Sequence, residues 1–463
     1  MIHLYDSLEG EVRELALRDE GRVAIYLCGP TVYDLPHLGH GRHALVWDVL
    51  RRWLTFEGLE VNFVSNVTDI DDKIIARAAL EETSEEAVAA SNEDEWWRAM
   101  EALGVAPPTH TPHATAFVAE MIALINELLA LDVAYQLDDG VYFDVSRVGD
   151  YGRLSGQSLE SLRAGARVEA NEAKRSPLDF TLWKNAKPGE PTWEAPFGAG
   201  RPGWHTECVV MSLALLGEGF DLHCGGLDLK FPHHENERAQ ASALSRAFAT
   251  HWAHHGWVMV GEEKMSKSLG NFTSLTDLLA STDPRAYRLL VLRSHYRSPI
   301  EVTPETIADA ERSLERLDAF ARRFSLAPLA GERMERASDH DFSGPAAMLH
   351  TRIQSALEDD LDTPQAIAKI FDAISQTNVA ADRGDVRGAA QMARAVAALL
   401  GALGLRLHAS LDEVDETSAD LATKRDGARA AGDFAEADRL REELSQRGWV
   451  IEDGPHGSTL RRT

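Results

Sequence analysis

The clearest pattern of apolar and polar positions lies near the amino terminus and predicts a strand, a turn, a helix and a second strand. Residues 23–27 form a short apolar run, and a Cys-Gly-Pro turn follows at 28–30. Apolar residues then recur at helical spacing over 44–54, and a second apolar run occupies 61–64. This order is typical of a β-α-β unit, which binds ligands at the carboxyl ends of its strands.

The pattern further along the chain predicts that an insertion interrupts the sheet of this α/β domain. Residues 83–131 are helical in pattern, and an Asp-Asp-Gly turn at 138–140 separates two strand-like runs, as in a β-hairpin. Strand-like runs return at 220–223 and 257–260. We therefore predict an insertion at about residues 83–178 between two halves of a parallel sheet.

Three element boundaries in the second half determine where candidate side chains lie. We expect a helix to begin at Val209, and a glycine-rich loop at 224–228 to follow the strand at 220–223. A further helix opens at Pro232, which places His233 and Glu237 four residues apart and on one face.

The carboxyl-terminal part of the chain is helical in pattern. Thr-Pro pairs at 303–304 and 363–364 are typical of helix starts, and polar linkers occupy 326–342 and 404–420. A helical pair and a short hairpin are predicted after residue 421. The predicted domains are therefore an α/β domain at 1–300, a helical bundle at 301–403 and a small α+β module at 421–463.

Composition narrows the class of protein. The chain has 463 residues, 44% of them hydrophobic, with a formal net charge of −27. It has neither a signal-peptide pattern nor an apolar stretch of transmembrane length, so we expect a soluble, cytoplasmic protein. Three cysteines make a disulfide framework improbable. The acidic charge disfavours non-specific nucleic-acid binding but allows a specific RNA partner that meets a local basic face.

Two short motifs point to nucleotide chemistry. His37-Leu38-Gly39-His40 lies at the predicted helix start, where N–H groups and the helix dipole favour phosphate. Lys264-Met265-Ser266-Lys267-Ser268 has two lysines three residues apart. Taken separately, the first motif could be a turn with two ordinary histidines, and the second a solvated basic loop.

Four other side chains suit a metal ion. Cys28, Cys208, His233 and Glu237 offer thiolate, imidazole and carboxylate groups, which zinc prefers. Their predicted positions allow all four to converge at one edge of the sheet. Spacing alone leaves open that the two cysteines are buried apolar thiols.

Six longer motifs together resemble the bacterial cysteinyl-tRNA synthetases, a class I aminoacyl-tRNA synthetase family. They are L-C-G-P-T-V-Y-D-L-P-H-L-G-H-G-R from Leu27, N-V-T-D-I-D-D-K-I from Asn66, P-G-W-H-T-E-C from Pro202, F-P-H-H-E-N-E from Phe231, E-K-M-S-K-S-L-G-N-F from Glu263 and L-D-T-P-Q-A from Leu361. The resemblance covers nearly the whole chain. One departure is Cys224, where the family pattern leads us to expect glycine; it could compete for the metal or fill buried space.

The resemblance implies a class I Rossmann-type catalytic domain with these site residues. Cys28, Cys208, His233 and Glu237 would hold one zinc ion per chain, which binds the substrate thiolate. The expected catalytic residues are His37, His40, Lys264 and Lys267. Those expected to contact ATP are Gly39, Gly226, Asp228, Val258, Ser266 and Ser268, and those expected in the cysteine pocket are Thr31, Thr68 and Trp204.

The implied substrates are L-cysteine, ATP with Mg²⁺, and tRNA(Cys), with the protein acting as a monomer. The resemblance implies that the bundle at 301–403 meets the tRNA stem and that the module at 421–463 reads the anticodon. In that module, Trp449 would stack on an unpaired base. Arginines would contact phosphate, namely Arg425, Arg429, Arg439, Arg441, Arg447, Arg461 and Arg462. The alternative for this tail is a solvated helical hairpin.

Two other functions remain open from the residues. A ligase of the mycothiol pathway resembles the same family and passes cysteine to an amino sugar, but it lacks the full carboxyl-terminal region, so residues 342–463 favour the synthetase. A zinc-stabilised scaffold without catalysis would not need both the histidine motif and the lysine motif at one sheet edge.

Overall fold

The computed structural model describes residues 2–157, 173–259, 274–326, 334–408, 415–454 and 457–462. The strands of the first part are β1 (His3–Asp6), β2 (Glu11–Glu14), β3 (Arg22–Leu27), β4 (Glu60–Ser65), β5 (Ala134–Leu137), β6 (Gly140–Phe143), β7 (Phe180–Asn185), β8 (Gly200–Pro202), β9 (Leu222–Gly226), β10 (Trp252–His255), β11 (Val258–Met259) and β12 (Ile300–Glu301). Near the carboxyl terminus lie β13 (Trp449–Gly454) and β14 (Gly457–Arg462).

The α-helices of the described ranges are numbered in the same way. They are α1 (Leu38–Phe56), α2 (Asp72–Glu81), α3 (Glu85–Ala102), α4 (Val118–Ala130), α5 (Trp204–Leu216), α6 (Glu235–Ala243), α7 (Leu275–Ser281), α8 (Pro284–Leu292), α9 (Pro304–Arg323), α10 (Pro345–Leu357), α11 (Thr363–Asp382), α12 (Val386–Ala402), α13 (Glu416–Ala430) and α14 (Phe434–Gln446). None of these helices is long and apolar enough to cross a membrane.

A parallel sheet in the order β10-β9-β3-β4 positions the candidate site. Residues 23–27 of β3 are buried, because helices cover an all-parallel sheet on both faces. The predicted α/β fold and its β3-α1-β4 unit are therefore confirmed. Since all four strands run the same way, Cys28 and Gly226 lie at one edge.

A second sheet, antiparallel, has the order β5-β6-β7-β8. Its first two strands form the predicted hairpin, with Leu137 paired to Gly140. Gly140 has a φ of +155°, and an added Cβ would lie 2.1 Å from the carbonyl oxygen of Trp183, so the close pairing with β7 needs glycine. The sheet continues to Pro202, beyond the end predicted for the insertion at about residue 178.

Several predicted boundaries differ from the structure. Helix α5 begins at Trp204, five residues before the predicted Val209. Strand β9 includes residues 224–226, which were predicted to be loop, because pairing with β3 and β10 overrides the low strand propensity of two glycines. The pattern gave no prediction for β10. Strand β11 contains only Val258 and Met259, and Val260 lies outside the described residues.

The chain forms two compact units, one of residues 1–307 with 355–364, the other of 308–354 with 365–463. Within the second unit, α13, α14 and the β13–β14 hairpin share a small core of Leu421, Ala422, Leu440, Leu444, Trp449, Ile451 and Leu460. The predicted hairpin is present. Trp449 is only 2% exposed, so the prediction that it stacks on an RNA base is wrong.

Four arginines of this module form ion pairs with acidic residues within it or just before it. Arg425 and Arg429 both pair with Asp453. Arg439 pairs with Glu436, and Arg447 with Asp415. Their charges are thus partly compensated before any phosphate binds.

Candidate active site

The four predicted metal ligands meet at the carboxyl edge of the parallel sheet. Cys28 follows β3, Cys208 lies in α5, His233 lies in the turn before α6, and Glu237 lies in the first turn of α6. All four side chains are buried, and one ligand atom from each lies within 4.8 Å of the others. The sequence-predicted group is therefore brought together.

The distances within this group suit a single cation. The sulfur of Cys28 lies 3.6 Å from the sulfur of Cys208 and 3.6 Å from Oε1 of Glu237. Nε2 of His233 is 3.0 Å from the same Oε1, yet it has no hydrogen-bond partner. Two sulfurs, one imidazole and one carboxylate form a donor set that zinc prefers, so the residues fit a zinc ion.

Burial and neighbouring charges shift the pKa values of these groups. Burial raises the pKa of Cys28 well above its usual value. Burial acts against the charge of Glu237 too, but His223 and His233 outweigh it and lower the pKa of the carboxyl. The negative charge of Glu237 in turn raises the pKa of His233 to about 10, although burial opposes this. Within this buried site, the carboxyl of Glu237 therefore favours its negative form and the imidazole of His233 its positive form.

Further histidines, which the motif search did not single out, surround the predicted ligands. His223 contacts the second oxygen of Glu237 at 2.8 Å, and His234 lies 3.3 Å from the sulfur of Cys28. His223 and His234 even form an alternative four-ligand group with Cys28 and Glu237. His43 donates from Nε2 to the carbonyl oxygen of Cys28 at 2.9 Å. Of these three, only His234 had a signal in the sequence, the histidine doublet at 233–234.

Cys224 belongs to neither four-ligand group. It pairs with Leu27 of β3 and Ala253 of β10, in the middle of the sheet. Successive side chains of a strand point to opposite faces, so Cys224 and its neighbour His223 face opposite ways. Of the two roles weighed for Cys224, the structure favours a small buried residue.

The predicted cysteine-pocket residues lie beside the metal ligands. Thr31 and Thr68 form a β-bridge, and Trp204 stacks on His233. The hydroxyl of Thr68 donates to Oε2 of Glu207 at 2.8 Å, while Oε1 of Glu207 is buried without a hydrogen-bond partner. Glu207 was not predicted, although it immediately precedes Cys208.

The two histidines of the first motif cap α1. His37 is the N-cap residue, and its ring stacks on that of His40 with centroids 3.6 Å apart. An added Cβ at Gly39 would lie 2.8 Å from the His37 ring, so glycine permits this stack. Burial lowers the pKa of His40 well below its usual value, which keeps the imidazole neutral. The N–H of His40 donates to Nδ1 of His37, and the first turn of α1 contains no acidic residue, so the positive end of the helix dipole favours an anion beside the two histidines.

The predicted ATP contacts lie partly within the described chain. Gly226 ends β9, and an added Cβ there would lie 2.3 Å from a carboxylate oxygen of Asp228. Val258 lies in β11, which runs parallel to β12. Four predicted residues, Lys264, Ser266, Lys267 and Ser268, lie outside the described residues.

Comparison with known families gives two matches. The family described as tRNA synthetases class I (C) catalytic domain matches residues 14–312, and the DALR domain family matches residues 352–408. Among curated proteins, the cysteine–tRNA ligase of Alkalilimnicola ehrlichii is 44% identical over 479 residues, covering 100% of both chains. That of Halorhodospira halophila is 45% identical over 477 residues, again covering 100% of both chains.

Solved structures of similar fold are more distant in sequence. Methionyl-tRNA synthetase of Mycobacterium tuberculosis, bound to methionyl-adenylate, superposes with a TM-score of 0.60 at 16% identity, covering 82% of this chain and 91% of that one. LeuRS of Agrobacterium radiobacter K84, in a ternary complex with tRNA, gives a TM-score of 0.62 at 12% identity, covering 84% of each chain. These two similarities concern the fold alone.

Proposed function

Because this chain belongs to the cysteine–tRNA ligase family of class I tRNA synthetases, we propose that it activates L-cysteine with ATP and transfers the cysteinyl group to tRNA(Cys). The observation that carries the proposal is the buried group of Cys28, Cys208, His233 and Glu237 at the sheet edge where α1 begins. This group would bind a thiolate, and it lies next to the amino-terminal end of α1, which would bind an anion.

Selection between amino acids is the step that needs this group. Serine differs from cysteine by one atom, and apolar pockets separate such near-isosteres by only about 1–3 kcal/mol. A zinc ion bound here would supply a preference for a thiolate over a neutral hydroxyl. His223 orients the Glu237 carboxylate, and His43 holds the carbonyl of Cys28, so both ligands are fixed before cysteine arrives.

We assign the amino-acid end of the substrate to Thr31, Thr68 and Trp204. Thr68 donates its hydroxyl proton to Glu207 and accepts a hydrogen bond from the amide of Asn66 at 3.2 Å. Its remaining lone pair is then available to the α-ammonium group of cysteine. This arrangement would hold the carboxylate of cysteine toward the start of α1.

The chemical step requires no protein nucleophile, because the cysteine carboxylate attacks the α-phosphorus and pyrophosphate leaves. The enzyme's contribution is positioning and charge stabilisation. We propose that His37, His40 and the first N–H groups of α1 meet the triphosphate, with Gly39, Gly226, Asp228 and Val258 around the nucleoside. Lys264 and Lys267, with Ser266 and Ser268, would meet the departing pyrophosphate together with Mg²⁺.

The helical region after residue 301 and the module at 421–463 are proposed to bind tRNA. The full-length similarity to cysteine–tRNA ligases supports this proposal over transfer to an amino sugar and over a scaffold. Action as a monomer in the cytoplasm remains part of the same prediction, and light scattering after size exclusion tests the oligomeric state.

Cysteine-dependent exchange of pyrophosphate into ATP tests the proposal, followed by charging of purified tRNA(Cys). We expect exchange with cysteine and almost none with serine at equal concentration. Exchange without charging would favour the amino-sugar ligase, and the absence of both activities in zinc-containing protein would favour the scaffold.

A further inference from the structure

Arg42 is a fully buried arginine two residues after His40, and its contacts are unusual for a buried charge. Its guanidinium donates to the main-chain carbonyl oxygens of Trp257 at 2.6 Å, Tyr296 at 2.9 Å and Ser298 at 2.5 Å, and approaches that of His295 at 3.4 Å. Within the described chain, all of these acceptors are carbonyls and none is a carboxylate. Burial lowers the pKa of Arg42 to about 10, so it still carries its charge at neutral pH.

Three of these carbonyls do not need Arg42 for their own hydrogen bonding. The oxygen of Trp257 accepts from the N–H of Ile300 at 2.9 Å, that of Tyr296 from Gly256 at 2.8 Å, and that of His295 from Ser298 at 3.0 Å. Burying a guanidinium without a carboxylate partner is costly. Stability alone therefore does not account for an arginine at this position.

The contacts of Arg42 join two parts of the proposed ATP site. The residue lies in the first two turns of α1, the helix capped by His37, and Trp257 directly precedes β11, which contains Val258. The turn at 295–298 leads into β12, the parallel neighbour of β11. The guanidinium of Arg42 thus connects β11 and the turn before β12 to the helix that begins with the histidine motif.

A second set of contacts fixes the same end of α1 from another side. The hydroxyl of Tyr287 donates to the carbonyl oxygen of Leu38 at 2.6 Å, and the N–H of Leu275 donates to that of Pro36 at 2.9 Å. An added Cβ at Gly41 would lie 2.8 Å from the Tyr287 ring, so α8 packs directly on this helix start. The helix start is therefore rigidly held, and Arg42 is its link to β11.

We propose that Arg42 is a positioning residue for adenylate formation, which holds β11 in register with the histidines of α1 so that adenine and triphosphate are bound in one productive geometry. This inference rests on the proposed function. It predicts an effect on ATP and not on cysteine, because the proposed cysteine pocket, Thr31, Thr68 and Trp204, lies after β3, after β4 and at the start of α5. Lysine cannot replace arginine here, since a single ammonium cannot reach the same set of carbonyls in one plane.

The test uses full-length, zinc-containing Arg42→Lys protein in pyrophosphate exchange. We expect kcat/KM for ATP to fall by about 10²-fold, which is the loss that a misplaced reactant causes. The KM for cysteine should stay within about twofold of the wild-type value. Zinc content should equal that of the wild type. An unchanged kcat/KM for ATP would overturn the proposal.

Arg288→Lys is the matched control, because Arg288 is also buried against α1 but pairs with Asp48, two turns beyond Arg42. We expect it to lower the melting temperature and to leave ATP kinetics unchanged. If Arg288→Lys reproduced the ATP defect, the effect of Arg42 would be general destabilisation and the proposal would fail.

Gly256→Ala perturbs the turn that Arg42 binds without changing Arg42 itself. It provides a second test if the Arg42→Lys protein does not fold. The added Cβ would lie 2.5 Å from the carbonyl oxygen of Arg297 and 2.7 Å from that of Ser298, displacing the turn that Arg42 binds. We expect the same ATP-specific loss, and wild-type ATP kinetics in this variant would contradict the inference. Wild-type protein without any exchange activity would instead contradict the proposed function.

Discussion

The indole of Trp204 stacks on the imidazole of His233, with ring centroids 4.0 Å apart and an interplanar angle of 21°. A residue proposed for the cysteine pocket thus lies directly on a proposed zinc ligand. Trp204 is also the first residue of α5, the helix that carries Cys208. Two contacts therefore connect the proposed cysteine pocket to the proposed metal group, the ring stack and the shared helix α5.

Trp204→Ala should weaken cysteine binding and loosen the metal together. An aromatic stack contributes about 0.5–1.5 kcal/mol, so we expect the KM for cysteine to rise by about 2-fold to 12-fold. Zinc should also be lost faster to a chelator, as measured with a colorimetric indicator. Trp204→Phe is the control and should retain most of both properties. Faster zinc loss without a change in the KM for cysteine would argue against this connection.

Freshly purified protein should contain about one zinc ion per chain, the expectation for a four-ligand buried site. Cys208→Ser and His233→Ala should each lose the zinc and the cysteine-dependent exchange. Cys224→Ala is the matched control: it removes a thiol of the same sheet that faces away from the ligands, so zinc should stay bound. Mass-spectrometric metal analysis measures all four proteins, and zinc-free wild type would refute the site.

Lys267→Ala should reduce adenylate formation far more than cysteine binding. A lysine that meets charge developing on the leaving pyrophosphate acts mainly in the transition state, with an effect of about 10²–10³ in rate. Rapid-quench measurement of the first turnover reports this step directly. If activation in the first turnover were unchanged, the catalytic assignment of this lysine would be wrong.

Stability at low pH should depend on Asp48. Burial alone would raise the pKa of this carboxyl, but the charges of Arg52 and Arg288 outweigh burial and hold it below its ordinary value of 3.8. The stabilisation is therefore complete above pH 3.8 and disappears as the pH falls through the lowered pKa. We expect Asp48→Asn to be less stable near neutral pH and to show a flatter dependence of melting temperature between pH 5 and about pH 2. Parallel melting curves for both proteins over this range would contradict the assignment.

A chain that ends at Ser410 should keep cysteine-dependent pyrophosphate exchange and lose most tRNA charging, with a raised KM for tRNA. All residues of the module's small apolar core lie after Ser410, so the truncation removes that core completely. Exchange by the truncated protein is the internal control for folding. Charging as efficient as that of the full chain would show that the module is not an anticodon reader.

The sequence was sufficient to predict the features that depend on local pattern and on motif chemistry. The β3-α1-β4 unit was predicted because its apolar runs have the lengths and spacing of a buried strand and an amphipathic helix. Cys28 and Cys208, 180 residues apart, were predicted to converge because Cys28 ends a strand and Cys208 leads into a helix at the same edge of the sheet. The domain boundaries and individual site roles remain predictions.

Features that depend on tertiary contacts were not predicted. Strand β10 has the sequence Trp-Ala-His-His, and its two histidines are polar in pattern but only 3% and 6% exposed, because His254 and His255 bond to other buried groups. The role of Trp449 was wrong for a related reason: its hairpin folds back on α13 and α14 and buries the indole. Periodicity reports local structure and gives no information on which polar groups find buried partners.

Cys224 has a practical consequence for following the unfolding of this protein. Its thiol is fully buried in the parallel sheet, and burial raises its pKa well above the usual value, so we expect it to resist alkylation while the sheet stays covered. Labelling at this position requires the elements packed on that face of the sheet to move away, which is an opening of the buried core. Alkylation of Cys224, followed by peptide mass spectrometry, therefore reports opening of this core without an introduced probe.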